Sequence, residues 1–249
     1  PPISSNFTQP LKRSGHLPPP IKQNCTSHRG GYSHDAVVYA LTHCGVRHID
    51  TAKHYGCEEK LGKAIKESGL PRSDLWITNK VWSEDYGYKA AKKACLGSCS
   101  EMGLEYFDLY LMHWPDPQKP GCSNREMRAE TWRALEELYK EGVCRAIGVS
   151  NFVIRHLEQL KEDCSVVPHV NQVFAFFFFC ERLQFRMAQE VEWGITEGVF
   201  CILRTRKGLY YLIIPDLNVF GFQLEDDDMA ALTSLHDGRH VTWDPTNVE

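Results

Sequence analysis

From Ser33 to Val173 the chain alternates short apolar runs with segments of helical period, without a break. Ser33 is placed to cap a helix through about Thr42, which Gly45 stops, and a strand follows to Asp50. Cys57–Ser68 reads as an amphipathic helix, with Glu58, Lys60 and Lys63 outward and Leu61, Ala64 and Ile65 inward, ending at Gly69. The same unit recurs. Leu75–Val81 is a strand, Tyr88–Met102 a helix ended by Gly103, and Tyr106–His113 a strand. After the proline-rich loop Pro115–Gly121 come a helix over Asn124–Glu141 and a strand over Arg145–Val149. A helix over Ile154–Glu162 and a strand over His169–Val173 complete the series. Strict alternation implies parallel strands joined by right-handed crossovers. Five strands with four helices between them fit a closed eight-unit barrel or an open doubly wound sheet. No G-x-G-x-x-G follows any strand, which weighs against an open dinucleotide-binding sheet.

The flanks are less regular. Residues 1–32 are rich in Pro, Ser, Gly and Asn, and Pro18-Pro19-Pro20 cannot pair inside a sheet, so 1–25 reads as an irregular segment. Beyond Val173, Phe174-Ala175-Phe176-Phe177-Phe178-Phe179 is apolar with no alternation. Met187–Trp193 suits a helix, Ile195–Leu203 a strand and Leu209–Ile214 a short apolar run. Acidic Glu225–Asp228 opens a helix through Leu235, where negative charge favours a helix N-terminus. Residues 174–215 hold fewer strand–helix units than a closed barrel needs.

At 249 residues the chain is long enough for a full core. A net charge of −4 argues against a nucleic-acid partner, since phosphate neutralisation needs a basic surface. No run of about 18 apolar residues is present, so no membrane span is expected. The ten cysteines are spread through helices and strands with no compact disulfide framework. Cys95 and Cys99 stand one helical turn apart, a spacing open to a metal, but no second ligand pair accompanies them and packed thiols are expected. Pro1-Pro2-Ile3 starts the chain without a basic n-region or apolar h-region, so a cytoplasmic protein is the expectation.

Four polar residues stand at or just after strand ends: Asp50, Tyr55, Lys80 and His113. Singly, a lysine there is an ordinary solvated charge and a histidine before Trp-Pro a structural one. Jointly they have the makings of a proton-transfer site at a barrel mouth. A tyrosine hydroxyl, with an ordinary pKa of about 10, is a poor acid–base group near neutrality. A lysine ammonium beside it favours the phenolate, and a carboxylate beside the lysine keeps that ammonium charged. A histidine can orient a carbonyl oxygen. The set suits protonation of an alkoxide as a hydride arrives.

At these residues the chain resembles the aldo-keto reductase superfamily, over roughly residues 26–173 and again about 218–245. The resemblance rests on His48-Ile49-Asp50-Thr51-Ala52-Lys53-His54-Tyr55-Gly56, Thr78-Asn79-Lys80-Val81-Trp82 and Leu109-Tyr110-Leu111-Met112-His113-Trp114-Pro115. It implies a (β/α)8 TIM-type barrel that reduces small aldehydes or ketones with NADPH. Tyr55 would be the proton donor, Asp50 and Lys80 its partners, and His113 the group that orients the substrate. Trp82 and Trp114 would line the substrate pocket. Gly148-Val149-Ser150-Asn151-Phe152 and Asn171-Gln172-Val173 resemble the segments that hold the nicotinamide carboxamide, which implicates Ser150, Asn151 and Gln172, with Asp50, in cofactor binding.

The second half departs from the family pattern. The phenylalanine run replaces the expected Glu and His-Pro after Val173, and Phe200 stands near the expected nicotinamide-stacking aromatic. Ile213-Ile214-Pro215 runs directly into Asp216-Leu217-Asn218, without the Lys-Ser and following Arg that grip the 2′-phosphate. Arg204, Arg206 and Lys207 offer a substitute basic patch or an ordinary solvated loop. The expectation is one barrel domain over 1–249, disrupted or incomplete after about residue 173. The rival readings are a non-catalytic or truncated family member that keeps the four residues, binds cofactor weakly or not at all and acts if anything as a binding or regulatory protein, and a plain α/β interaction domain.

Overall fold

In the computed structural model, residues 23–25, 32–117, 121–172 and 248 are described. Strands and helices alternate through them: β1 (Gln23–Cys25), α1 (His34–Thr42), β2 (His48–Asp50), α2 (Glu58–Glu67), β3 (Trp76–Val81) and α3 (Tyr88–Met102). Then come β4 (Leu109–Met112), α4 (Asn124–Lys140), β5 (Ile147–Ser150), α5 (Ile154–Asp163) and β6 (Asn171–Gln172). The six strands pair in chain order and every pair is parallel.

A single contact decides between a curled and a flat sheet. Gln172 Nε2 on β6 donates to Asp50 Oδ2 on β2 at 2.9 Å. Four inter-strand steps separate these strands in the sheet order. In a flat sheet that is about 19 Å at about 4.8 Å a step, too far for the two side chains to meet. The strands therefore curl into a barrel wall, and this contact crosses its interior.

Side-chain alternation sorts the wall into two faces. Ile49, Ile77, Val81, Tyr110, Met112, Ile147 and Val149 pack in the main core with the helices. Leu109, Leu111 and Ala146, with Trp76 and Val170 against them, form a second apolar cluster inside the barrel. Above it lie His48 and Thr78, bonded at 2.8 Å, and above those Asp50, Lys80, Ser150 and Gln172. A Cβ added at Gly148 would stand 2.5 Å from Val170 O and 2.8 Å from Leu111 Cδ2, so glycine is what lets β5 and β6 close around this interior.

Helix limits fall where the turn chemistry puts them. α3 ends on Gly103 at φ +67°, a left-handed cap that frees the chain to turn back. Ser123 Oγ accepts from Glu126 N at the start of α4. Ser33 occupies the first cap position of α1, but its side chain makes no capping bond.

The structure corrects four expectations. Gln23–Cys25 is a strand within the segment read as irregular; three polar-flanked residues carry no periodicity, and parallel pairing with His48–Asp50 creates the strand. Glu58, read as outward, is buried, because the first turn of α2 abuts β3 and Asn79 Nδ2 donates to Glu58 Oε1 at 2.6 Å. The strand expected over Tyr106–His113 shortens to Leu109–Met112, since the Asp108 carboxylate takes the Ile77 N–H at 2.9 Å. The strand expected from Arg145 runs instead over Ile147–Ser150. The readings of Phe174–Phe179, Met187–Trp193, Ile195–Leu203, Leu209–Ile214 and Glu225–Leu235, and those of Phe200, Arg204, Arg206 and Lys207, lie outside the described residues.

Candidate active site

Among the described residues, the barrel mouth is built from the ends of β2 to β6 and the residues that follow β2, β3, β4 and β5. Asp50 closes β2 with its carboxylate inside the wall, fully buried. Lys80, near the end of β3, is also fully buried, and its Nζ donates to Asp50 Oδ1 at 2.6 Å and to Thr51 O at 2.9 Å. Alternation along β3 explains the pair: Thr78 and Lys80 face inward, while Asn79 faces α2 and α3. Gln172 takes the other Asp50 oxygen, so this carboxylate ties β2 to β3 and to β6 at once.

Past Asp50 the chain makes a short 3₁₀ turn over Lys53–Tyr55 and leaves it through Gly56 at φ +62°. That turn swings Tyr55 back over the mouth. Lys80 Nζ lies 5.7 Å from the Tyr55 ring centroid, and the Tyr55 ring meets His113 edge-on at 5.8 Å. Trp82, just beyond β3, meets His113 edge-on at 5.1 Å, and Trp114 lies nearly parallel to His113 at 6.5 Å. Asp50, Tyr55, Lys80, His113, Trp82 and Trp114 thus come from three strand ends to one place.

On the far side of the mouth, Asn151 takes a left-handed backbone at φ 60°, and its Nδ2 donates to His113 O at 2.9 Å and to Ser150 Oγ at 3.1 Å. Ser150 Oγ donates to Gln172 O at 2.6 Å. The donors of Ser150 and Asn151 are therefore engaged within the protein. Gln172 Oε1 differs: it is buried and has no hydrogen-bond partner among the described residues.

Several supporting residues escaped the sequence reading. Asn79 Oδ1 accepts from Lys80 N at 2.7 Å, so the Glu58–Asn79 pair fixes the strand at the lysine. Arg128 of α4, buried, donates to Pro115 O at 3.0 Å and Gln159 Oε1 at 2.7 Å, while Tyr86 Oη donates to Trp114 O. These two side chains hold the loop after His113. Burial lowers the Arg128 guanidinium pKa to about 10 and raises that of the Tyr86 hydroxyl. Burial also pushes His48 down to about 4, and the Lys80 ammonium adds to that while the Asp50 carboxylate opposes it. Asn79 was signalled by its place beside Lys80 on a two-residue period; Arg128 and Tyr86 carried no local signal.

Elsewhere, Cys95 Sγ lies 3.7 Å from Cys144 Sγ in the core, a contact that the Cys95/Cys99 spacing does not announce. Among the described residues no helix is long and apolar enough to cross a membrane.

Comparison with known proteins matches this architecture. The model of the aldo/keto reductase family matches residues 29–195. A 9,11-endoperoxide prostaglandin H2 reductase of Trypanosoma cruzi (strain CL Brener) is 33% identical over 88% of this chain and 87% of its own. That alignment spans 259 positions, more than the 249 residues here, so part of the relative faces gaps in this chain. A glyoxal reductase of Bacillus subtilis (strain 168) is 35% identical over 84% of this chain and 85% of its own. The crystal structure of a Gox0644 mutant in complex with NADPH shares the fold with a TM-score of 0.74 and 26% identity, covering 92% of this chain and 94% of its own. The curled parallel wall and these matches along most of each partner lead to one assignment: the chain belongs to the aldo/keto reductase family.

Proposed function

We propose that this chain reduces small aldehydes or ketones to alcohols with NADPH, Tyr55 giving the proton. The observation that carries the reading is the buried Asp50–Lys80 pair beneath the Tyr55 ring, with His113 edge-on to that ring. NADPH, when bound, supplies a hydride to the carbonyl carbon. The Tyr55 hydroxyl gives its proton to the alkoxide oxygen as it forms, and solvent later restores it. The Lys80 ammonium lowers the cost of the phenolate left behind, and Asp50 pairs with that ammonium and holds it in place. His113 and the tyrosine hydroxyl together orient the carbonyl oxygen, and Trp82 and Trp114 wall the substrate side. The reaction consumes one carbonyl, one hydride and one proton for each alcohol.

The residues present suit the cofactor's carboxamide. Gln172 Oε1 is a buried acceptor without a partner among the described residues, and a carboxamide N–H is its complement. Ser150 and Asn151 border the same place. The B. subtilis relative's name makes glyoxal the first substrate to try. The same reading takes residues 1–249 as one barrel domain acting in the cytoplasm, with a small carbonyl compound as its partner.

The test pairs two readouts: NADPH binding by quenching of tryptophan fluorescence, and NADPH oxidation with glyoxal or a simple aldehyde. Saturable binding with turnover that Tyr55→Phe abolishes, while binding persists, is the expected result. A folded protein that binds no NADPH would overturn the reading in favour of a non-catalytic family member. Turnover unaffected by Tyr55→Phe would remove the tyrosine from the mechanism.

A further inference from the structure

Two short turns at the mouth are fastened to each other from outside the barrel. The turn after β2, Lys53–Tyr55, closes on itself: Tyr55 N donates to Ala52 O at 2.9 Å and Gly56 N to Lys53 O at 3.1 Å. The turn after β3, Ser83–Asp85, does the same: Asp85 N donates to Trp82 O at 3.0 Å and Tyr86 N to Ser83 O at 3.2 Å. Side chains then join one turn to the other. Lys53 Nζ donates to Asp85 Oδ2 at 2.8 Å, and the His54 imidazole stacks on the Trp82 indole with ring centroids 3.7 Å apart. The next residue carries the fastening on, since Tyr86 Oη donates to Trp114 O.

The ion pair between the turns is used by neither the core nor the proton relay. Its side chains are 39% and 29% exposed, and a pair this open to water adds little to stability. Its place gives it a different effect. Lys53 and Tyr55 are the two ends of one three-residue turn, so an anchor on Lys53 holds the backbone that presents the Tyr55 ring. That ring stands 5.8 Å from His113 and 5.7 Å from Lys80 Nζ, measured from its centroid. The pull of an ammonium on a hydroxyl falls with distance, and a misplacement of about 1 Å at a reacting group can cost on the order of a hundredfold in rate.

We propose that Lys53 and Asp85 are positioning residues: their ion pair clamps the turn that carries Tyr55 to the turn after β3 and so holds the tyrosine in place over Lys80 and against His113. The proposal rests on the reading of Tyr55 as the proton donor.

The experiment compares the full chain with K53M, D85N and the charge-swapped double variant K53D/D85K, using NADPH and glyoxal or a simple aldehyde. Each single variant should lower kcat on the order of tenfold, with NADPH binding and the urea midpoint close to the parent's, and the swap should recover most of the loss. A second readout needs no cofactor. The tyrosinate absorbance that Tyr55→Phe removes should appear at higher pH in both single variants, because a phenolate farther from the Lys80 ammonium is less favoured. A direct effect of the lost charge would move that absorbance in opposite directions in K53M and D85N, so a shift in the same direction reports displacement. Unchanged kcat in both single variants would overturn the clamp and leave the reductase reading intact. So would a loss of kcat that the swap does not recover and that follows a loss of stability. Turnover of neither compound by the folded parent would overturn both.

Discussion

The Nζ of Lys80 lies 2.6 Å from Oδ1 of Asp50, and neither side chain is exposed to solvent. Desolvating two charges costs more than an ordinary packing contact returns, so a buried pair is poor evidence for stability alone. In the mechanism proposed above the pair has another purpose: it sets a positive charge 5.7 Å from the ring centroid of Tyr55, the residue proposed to give the proton.

That arrangement makes the order of damage predictable. Lys80→Met leaves a buried carboxylate without its cation and should destabilise the fold by about 3–5 kcal/mol. Adding Asp50→Asn removes the stranded charge, so the double variant should recover part of that loss. Urea denaturation reads the stabilities. Turnover should be lost in both variants, and a double variant less stable than Lys80→Met would refute the pairing argument.

Glu58 is predicted to act through Asn79. Glu58→Ala strips the acceptor from a buried amide and should cost about 1–3 kcal/mol, whereas Glu58→Gln keeps an acceptor and should lie close to the parent. Thermal melts distinguish the two. If alanine and glutamine are equally tolerated, the Glu58–Asn79 bond contributes nothing to the strand at Lys80.

His48 sets a pH dependence of stability. Its folded pKa of about 4 lies below the ordinary 6.5, because burial disfavours the imidazolium. The unfolded chain therefore takes up a proton that the folded chain refuses. Stability is unaffected by this group above pH 6.5, falls as the pH drops from 6.5 to about 4, and levels off below that. At about 1.4 kcal/mol per pH unit the total comes to about 3 kcal/mol. His48→Gln should flatten the curve in that window, measured by denaturation at a series of pH values. An unchanged slope would assign the acid sensitivity to other groups.

The local parts of this structure were legible because they depend on neighbours in sequence. Helix α3 falls on Tyr88–Met102 and stops at Gly103, since an amphipathic run and a left-handed glycine act within a few residues of each other. Asp50, Tyr55, Lys80 and His113 could be chosen as partners from their places at strand ends, because parallel strands bring those ends to one rim. Strand β1 and buried Glu58 were not legible. Gln23–Cys25 has no pattern of its own, and a glutamate in a first helical turn looks the same whether it meets water or an amide.

The sequence by itself determined the alternation of strands and helices, the parallel order and the residue types that gather at the mouth. Periodicity, glycine and proline encode these through short-range sterics and through which face of each element is apolar. Only the tertiary structure decided that the sheet curls, because that rests on Gln172 reaching Asp50 across 122 positions of chain. It alone also assigned Arg128 to the loop at Pro115 and set His54 on Trp82. Such contacts join side chains whose neighbours in sequence say nothing about each other, and only packing brings them within bonding distance.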